Sequence, residues 1–351
     1  MKVGILGFAH GHVGMYCTEW QRHPEQDIQV VAGWDHDAAR LHKAAATFGA
    51  RPYADVGALL AERDLAAVVI GAETSLHAEL VEKAAAAGKA IVLQKPLALT
   101  MAEGDRIVTA VQKHGAPFTV AWQMRVDPQN IKIRELMASG ILGKIVMVRR
   151  RHALAVHTWP NWRDLWHIKP QFNRDIWADD AAHPIDFMHW LLGAPESVTA
   201  EIDTLLDPVM PMDNGIAILR YPGGPVAEVC CSFTCVAAEN TTEVIGDRGT
   251  IIQSYGDAPS SSVPRPEGAC GLKWYTTESK QWTCSDIPSP TSQGQRIAAL
   301  SAPLSDFLHG ERPALATAED ARLSLRMTLA CHVSTREGRR VRLDDPLIAL
   351  L

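Results

Sequence analysis

The sequence has no long hydrophobic run, no basic tract and no signal-peptide pattern. Because no stretch approaches about 18 consecutive apolar residues, a membrane-spanning helix is not expected. The three consecutive arginines Arg149, Arg150 and Arg151 stand alone in a chain of net charge -6, so nucleic acid is not an expected partner. The apolar start ends at Gly7 without a cleavage-site pattern, which argues against a secretory signal.

Cysteines are few and do not follow a metal-binding pattern. The chain has seven, an odd number, and their spacings are not those of a zinc site. Cys230, Cys231 and Cys235 fall in a strand-like run, and we expect them to be packed thiols. This usage predicts a reducing, cytoplasmic location.

Length and patterning predict two domains. The 351 residues are 47% hydrophobic and 21% charged, enough for a full core in each of two domains. Over residues 1–122, short apolar runs alternate with helical patterns, which predicts an α/β domain with a doubly wound parallel sheet. Residues 123–351 instead contain strand patterns separated by turn signals, at about 197–205, 214–220, 226–236, 241–247 and 249–254. We therefore predict an α+β domain with a mostly antiparallel open sheet, an irregular loop over 256–268 and C-terminal helices over about 296–336.

The first strand, over residues 2–7, leads into a glycine-containing turn and then a helix. This order can place a pyrophosphate on a helix N-terminus. This turn departs from the dinucleotide-binding pattern G-x-G-x-x-G. Ala9 replaces the second glycine, and Gly11 comes one place before the position of the third. An ordinary βα turn is the alternative. The predicted cofactor contacts here are Gly7, Phe8, Ala9, His10, Gly11 and His12.

Polar residues follow the ends of later strands. Asp35 ends the predicted second strand, where an acid accepts from the ribose hydroxyls of NAD and repels the 2′-phosphate of NADP. Asp35 or Asp37 could instead cap the helix predicted over 38–48. Glu73, Thr74 and His77 follow another strand end and are also predicted cofactor contacts, with a buried structural role open for His77.

Residues Ile91 to Pro96 read as a buried strand that ends in a lysine. Pro96 cannot continue a central strand, so Gln94 and Lys95 stand at the carboxyl end, where open α/β sheets bind ligands. A lysine there can stabilise a nearby alkoxide. The alternative is a lysine that extends from a strand end to solvent.

In the second half, Asp179 and His183 are four residues apart and could share a helix face. A histidine held by hydrogen bonds can act as a general base towards a secondary alcohol, although such pairs are more often exposed ion pairs. His183, Asp186 and His189 do not repeat well enough for a metal site, and none is predicted. Candidate substrate ligands, which could stack on or hydrogen-bond to a sugar or could be plain core, are Arg125, Trp159, Trp162, Trp166 and Trp177.

Three motifs resemble the glucose–fructose oxidoreductase and inositol dehydrogenase family (Gfo/Idh/MocA). They are the Gly4–Gly7 turn, Gln94-Lys95-Pro96 where the family usually has Glu-Lys-Pro, and Asp179, His183 and Asp186 in its D-x-x-x-H-x-x-D pattern. The glycine run that usually precedes this aspartate is replaced by residues 173–177. The resemblance covers nearly the whole chain.

The resemblance implies an NAD(H)-dependent oxidoreductase acting on a secondary hydroxyl of a sugar, glycoside or cyclic polyol. His183 would take the hydroxyl proton, Asp179 would orient substrate or base, and Lys95 would stabilise the alkoxide. Two alternatives are a glycoside-cleaving enzyme that oxidises, eliminates and reduces again, and a non-catalytic sugar or nucleotide sensor.

Assembly is also expected. The family pairs subunits through the open sheet, and the strands over 197–254 carry apolar residues such as Val226, Val229, Phe233 and Val244. Helices can cover only one face of that sheet. A homodimer or homotetramer is therefore predicted. The alternative is a monomer, in which polar residues such as Ser232 and Glu243 make the outer face of the sheet compatible with solvent.

Overall fold

Contacts divide the chain into two units, each built from two segments. The first is Met1–Val126 with Arg296–Leu325, and the second is Asp127–Gln295 with Arg326–Leu351. The structure is a computed structural model that describes residues 1–237, 239–254, 267–290 and 292–351, without the side chain of residue 293. The irregular loop predicted over 256–268 lies almost entirely outside the described residues.

The first unit contains a six-stranded, entirely parallel sheet with helices between its strands. The strand order is β3-β2-β1-β4-β5-β6, so the winding reverses direction between β1 and β4, where doubly wound sheets bind ligands. The strands are β1 Lys2–Leu6, β2 Gln29–Trp34, β3 Arg51–Tyr53, β4 Ala67–Ile70, β5 Ala90–Leu93 and β6 Phe118–Val120. The helices between them are α1 Gly11–Arg22, α2 Ala38–Phe48, α3 Val56–Leu60, α4 His77–Ala86 and α5 Met101–His114.

The predicted α/β class is confirmed, and local sequence signals explain several boundaries. Asp37 caps α2 by accepting from the backbone N–H groups of Ala39 and Arg40. Thr100 and Glu103 form the capping box that starts α5. The apolar run of β4 is buried along its full length, as expected for a central parallel strand covered on both faces.

The second unit contains a nine-stranded sheet that is antiparallel except where β7 pairs with β10. This confirms the mostly antiparallel prediction. Its strands are β7 Ile145–Ala153, β8 Ser197–Asp203, β9 Asn214–Arg220, β10 Val226–Ser232, β11 Thr241–Gly246, β12 Gly249–Gln253, β13 Leu272–Thr276, β14 Trp282–Cys284 and β15 Val341–Arg342. The remaining helices of the chain are α6 Pro128–Ala138, α7 Pro170–Asn173, α8 Ala182–Leu192, α9 Gln293–Ala298, α10 Ser301–Leu308 and α11 Ala318–Glu337.

The division of the chain differs from the single boundary predicted at residue 122. Residues 296–325, which we assigned to the second domain, contribute Leu300 and Leu304 to the core of the first unit. The indole of Trp20 donates to the Ser301 carbonyl at 3.1 Å, and the Val120 N–H donates to the Ala316 carbonyl at 3.1 Å. These contacts join segments far apart in sequence, so local patterns could not reveal them.

The residues named for the uncovered sheet face were partly wrong. Val229, Phe233 and Val244 are fully buried, because alternation turns them towards the helix-covered face. The opposite face instead exposes Met147, Ile216 and Ile218, at 38%, 48% and 47%. The Arg149 guanidinium donates to Glu228 and Glu243, carboxylates of the two neighbouring strands in register with it.

Cysteine pairing was not anticipated by the sequence. Cys270 and Cys284, with Cα atoms 5.9 Å apart, form a disulfide beside the β13–β14 hairpin. Cys17, Cys230, Cys231, Cys235 and Cys331 are free thiols. Within the described ranges, no helix is both long and apolar enough to cross a membrane.

Candidate active site

The glycine turn after β1 packs tightly against the end of β4. Gly7 has φ +90°, and a Cβ built on it would lie 2.4 Å from the Ala72 backbone, so only glycine fits. Its N–H donates to the Trp34 carbonyl at 2.7 Å, and the His10 N–H donates to the Gly71 carbonyl at 2.9 Å. The turn is thereby fixed at the β1–β4 reversal.

Helix α1 begins at Gly11 and is capped by His10, whose Nδ1 accepts from the His12 N–H at 3.4 Å. A Cβ added at Gly11 would meet nothing within 4 Å. A phosphate group can therefore approach the start of this 12-residue helix, where the helix dipole favours an anion. The donors and the open space fit the pyrophosphate of a dinucleotide; the contacts predicted for residues 7–12 stay predictions.

Asp35 is where the sequence placed it, at the end of β2, but its carboxylate is already engaged. One oxygen accepts from the Phe8 N–H and from Arg40 Nε, both at 2.7 Å. The other accepts from the Asp37 N–H at 2.9 Å and from an Arg40 terminal nitrogen at 2.7 Å. A ribose hydroxyl would share this carboxylate with these donors, and the direct contact predicted for Asp35 stays a prediction. The capping role belongs to Asp37.

Arg40 also joins Asp35 to Glu73. Its terminal nitrogen lies 2.9 Å from a Glu73 oxygen, and the other Glu73 oxygen lies 2.9 Å from Nε2 of His36. Asp35 and Glu73 are buried, whereas Arg40 is only partly so. Two carboxylates therefore share one guanidinium at the edge where the adenosine end of a dinucleotide would lie. Thr74, the next predicted contact, is also buried.

Lys95 and Gln94 follow β5 and are both almost completely buried. Gln94 Nε2 donates to the Tyr16 hydroxyl at 2.6 Å. Burial raises the pKa of Tyr16, outweighing that hydrogen bond, so the hydroxyl stays neutral. The Lys95–Pro96 peptide bond is cis.

His77 connects the β4 end to the segment after Lys95. Its Nδ1 lies 2.9 Å from the Pro96 carbonyl oxygen, and its Nε2 lies 3.2 Å from that of Ala72. Burial lowers the pKa of His77 to about 4, despite the backbone carbonyls, and the Lys95 charge adds to this effect. The ring is therefore neutral and structural, as in the alternative left open by the sequence.

Arg125 is buried in the first unit and donates to the Leu315 carbonyl at 2.8 Å. Its guanidinium also lies 3.8 Å from an Asp320 oxygen. These contacts attach the end of the Met1–Val126 segment to residues 315–320. They give Arg125 a structural role, which the sequence did not predict.

In the second unit, α8 carries His183 and is preceded by a π-helical turn, Trp177–Ala181. Asp175 holds the entry to this turn, because it accepts from the Ala178 N–H at 2.7 Å and from Nε2 of His332 at 2.8 Å. Burial opposes a charge on His332, but the Asp175 carboxylate outweighs it and raises the pKa. Such π-helical turns are frequent at functional sites.

Two acidic residues of this turn contact histidines. Asp179 Oδ2 lies 3.0 Å from Nδ1 of His167, whose ring stacks on Trp166 with centroids 3.9 Å apart. Asp180 lies 3.3 Å from Nε2 of His152 and 3.6 Å from Nε2 of His183. All are buried except Trp166 and His167, which are partly exposed. The unit thus gathers carboxylates and imidazoles suited to proton transfer.

Sequence reasoning named Asp179 and His183 as candidates but did not name their neighbours Asp180, His152 and His167. The position of Asp180, three residues before His183, was a usable signal. His152 on β7 and His167 in a loop are distant in sequence, so no local pattern indicated them. In the part of the chain that the structure describes, no group of three His, Cys, Asp or Glu side chains is suited to a metal ion.

The four candidate tryptophans do not share one environment. Trp166 lies against the His167–Asp179 pair. Trp177 is fully buried, packed so closely on β9 that a Cβ on Gly215 would meet its ring at 2.7 Å. It is therefore core and has no face for a sugar. Trp159 is 42% exposed, and Trp162 is partly exposed.

Comparison with protein-family models gives matches to both halves of the chain. The family described as "Oxidoreductase family, NAD-binding Rossmann fold" matches residues 1–122. The family described as "GFO/IDH/MocA C-terminal domain" matches residues 130–252. The two ranges contain every site residue discussed above except Arg125, the segment that it binds, and His332.

Similar proteins include several named as dehydrogenases. A D-apiose dehydrogenase from Paraburkholderia graminis is 27% identical over 345 residues, covering 92% of this chain and 86% of that protein. A myo-inositol 2-dehydrogenase from Thermotoga maritima is 24% identical over 353 residues, covering 98% and 99%. A levoglucosan dehydrogenase solved in complex with NADH superposes with a TM-score of 0.83 at 20% identity, covering 98% and 99%. This last likeness concerns the fold.

Proposed function

The chain belongs to the Gfo/Idh/MocA oxidoreductase family, whose N-terminal domain is an NAD-binding Rossmann fold, and we propose that it is an NAD(H)-dependent sugar or polyol dehydrogenase. The reaction is oxidation of a secondary hydroxyl, or reduction of the corresponding ketone. The dehydrogenase relatives named for apiose and inositol support a polyhydroxylated substrate. The observation that carries the proposal is the buried cluster of acid–base groups around the π-helical turn of the second unit.

We assign the roles residue by residue. The glycine turn after β1 holds the pyrophosphate, and the Lys95 ammonium stabilises charge that develops on the substrate oxygen. His183 accepts the hydroxyl proton, and the His167–Asp179 pair orients substrate hydroxyls by hydrogen bonding. Trp166 offers a partly exposed aromatic surface beside that pair for an apolar sugar face. Bound NAD supplies the hydride acceptor.

Two substitutions test these roles. We expect Lys95→Ala and His183→Ala each to lower turnover by about 10²-fold or more, because proton transfer commonly contributes that much, while NADH binding persists. The assay is a panel of sugars, glycosides and inositols with NAD, followed by nicotinamide absorbance and product analysis. Matched controls are Lys113→Ala and His114→Ala, which alter exposed residues in the last turn of α5.

The outcomes separate the candidate functions. Wild-type turnover in either site variant would remove that residue from the reaction. Cleaved glycoside without net NADH would point to oxidation, elimination and re-reduction. NADH binding without turnover of any substrate in the panel would favour a sensor.

We further propose that NAD is preferred to NADP. Asp35 and Glu73 carry two negative charges against the single charge of Arg40, so a 2′-phosphate brought to this edge meets net negative charge. NADH should bind about tenfold tighter than NADPH or better, as measured by fluorescence titration of both. Asp35→Ala should narrow that ratio, since it removes a carboxylate and releases Arg40 from its bidentate pair.

Asp37→Asn is the matched control for that titration. It removes a nearby exposed charge and keeps a side chain that caps α2 well, so the NADH to NADPH ratio should change less. Tighter binding of NADPH by the unmodified protein would instead assign Arg40 to the phosphate.

A further inference from the structure

One carboxylate stands between two imidazoles in the second unit. Asp180 Oδ2 lies 3.3 Å from Nε2 of His152 on β7, and Oδ1 lies 3.6 Å from Nε2 of His183 on α8. The two rings are 6.2 Å apart between centroids. All three side chains are buried, Asp180 at 8% exposure being the most open. We call them the Asp180 trio.

Asp180 is the carboxylate that the two rings share. A buried carboxylate beside an imidazole stabilises the positive charge that forms when the ring takes up a proton. The closer contact of Asp180, with His152, holds the carboxylate in place beside His183.

We propose that Asp180, held by His152, is a positioning residue that orients His183 as the base and stabilises the positive charge that His183 gains when it takes the substrate proton. The inference rests on the proposed dehydrogenase function and adds two residues to it. In the oxidation, the substrate O–H bond breaks and its proton bonds to His183, while the carbinol hydrogen leaves with its electron pair for the nicotinamide. The resulting His183 imidazolium is stabilised by Asp180 until its proton passes to solvent.

Other titratable groups surround the trio. Cys231 on β10 faces Asp180; burial raises its thiol pKa first, and the charge of Asp180 adds to the effect, so the thiol stays protonated. The remaining charged or titratable groups on the same elements are Arg149, Arg150 and Arg151 on β7, Glu228 and Cys230 on β10, Asp186 and His189 on α8, and Asp179, paired with His167, in the π-helical turn. They are unchanged in the variants below, so differences between those variants report on the trio.

The pH dependence of kcat/KM distinguishes this role from simple packing. In Asp180→Asn, His183 loses the neighbouring carboxylate, so the acid limb should move down by about one pH unit. His152→Gln keeps the carboxylate beside His183 and an amide that can donate to it, so the acid limb should stay in place. Asp180→Glu keeps the charge and should restore the original limb even if turnover falls.

An acid limb that stays in place in Asp180→Asn, or that moves as far in His152→Gln, would overturn the proposal. A second readout does not need turnover. The ring-proton NMR resonances of His183, assigned from His183→Gln, should titrate at lower pH in Asp180→Asn than in the unmodified protein. An unmoved His183 titration would refute the role of Asp180, whereas a moved titration without polyol oxidation would refute only the proposed reaction.

Discussion

At the scale of the single residue, His77 was predicted to contact the cofactor, and its ring connects two segments of the backbone. Both ring nitrogens face backbone carbonyls of two different segments, so the neutral ring donates to one of them. Protonation inside this fully buried site would cost solvation that the carbonyls only partly replace. The ring therefore fixes the chain around Lys95 without exchanging protons near neutral pH.

This burial predicts a specific loss of stability in acid. The folded-state pKa of His77 is about 4, whereas an unfolded histidine titrates near 6.5. Between these values the unfolded chain binds more protons, so the free energy of unfolding falls as pH is lowered from about 6.5 to 4, and His77 accounts for about 3 kcal/mol of the fall. Urea unfolding across this pH range measures the effect.

The variant His77→Gln provides the comparison. Glutamine keeps hydrogen-bonding groups and does not titrate, so its free energy of unfolding should decline less steeply over the same range. The other histidines and the carboxylates are common to both proteins and cancel in the difference. If the free energies of unfolding of the two proteins fell in parallel as the pH is lowered, His77 would titrate in the folded protein as it does in the unfolded chain, which would contradict the prediction.

At the scale of the element, the sequence was most informative where local chemistry determines an end. The helix predicted over 38–48 is Ala38–Phe48, because Asp37 caps its start and Gly49 adopts the left-handed conformation after its end. The capping box predicted at Thr100 is present on α5. Periodicity also identified the buried strands β4 and β5 and the main antiparallel strands.

Elements without strong local signals were missed. The short strands β13, β14 and β15 depend on pairing at the sheet edges, which the sequence does not display. The π-helical turn also escaped prediction, and it matters for the site. It gives Asp179 and Asp180 separate histidine partners, where an ordinary helix suggested only an i, i+4 pair.

The engagement of Asp35 illustrates the same limit. Its place at the end of β2 was correct, but Arg40, in the first turn of α2, pairs with it and with Glu73. Strand and helix patterns predict where the backbone of each residue lies. Which charged side chains pair with one another depends on three segments that are separate in the sequence, so those patterns do not predict it. From the sequence, the preference for NAD over NADP was therefore only a hypothesis.

At the scale of the whole molecule, the open face of the nine-stranded sheet carries the remaining prediction. Its exposed apolar residues are Met147 on β7 and Ile216 and Ile218 on β9, and both strands pair with β10, which lies between them. Arg149 and its two glutamates form an ion-paired strip on the same face. Apolar surface beside charges that are already paired is suited to burial, since few charges would be left without partners.

We therefore predict a homodimer or homotetramer that buries this face, because closed two-fold pairing is the commonest arrangement for such surfaces. Light scattering at micromolar concentration should give a mass of two or four chains. Ile216→Arg and Ile218→Arg should lower that mass by placing unpaired charge in the interface. Leu205→Arg, at a 69% exposed position outside the strands, is the matched control and should leave the mass unchanged. A monomer mass for the unmodified protein would contradict the prediction and leave the catalytic assignments standing.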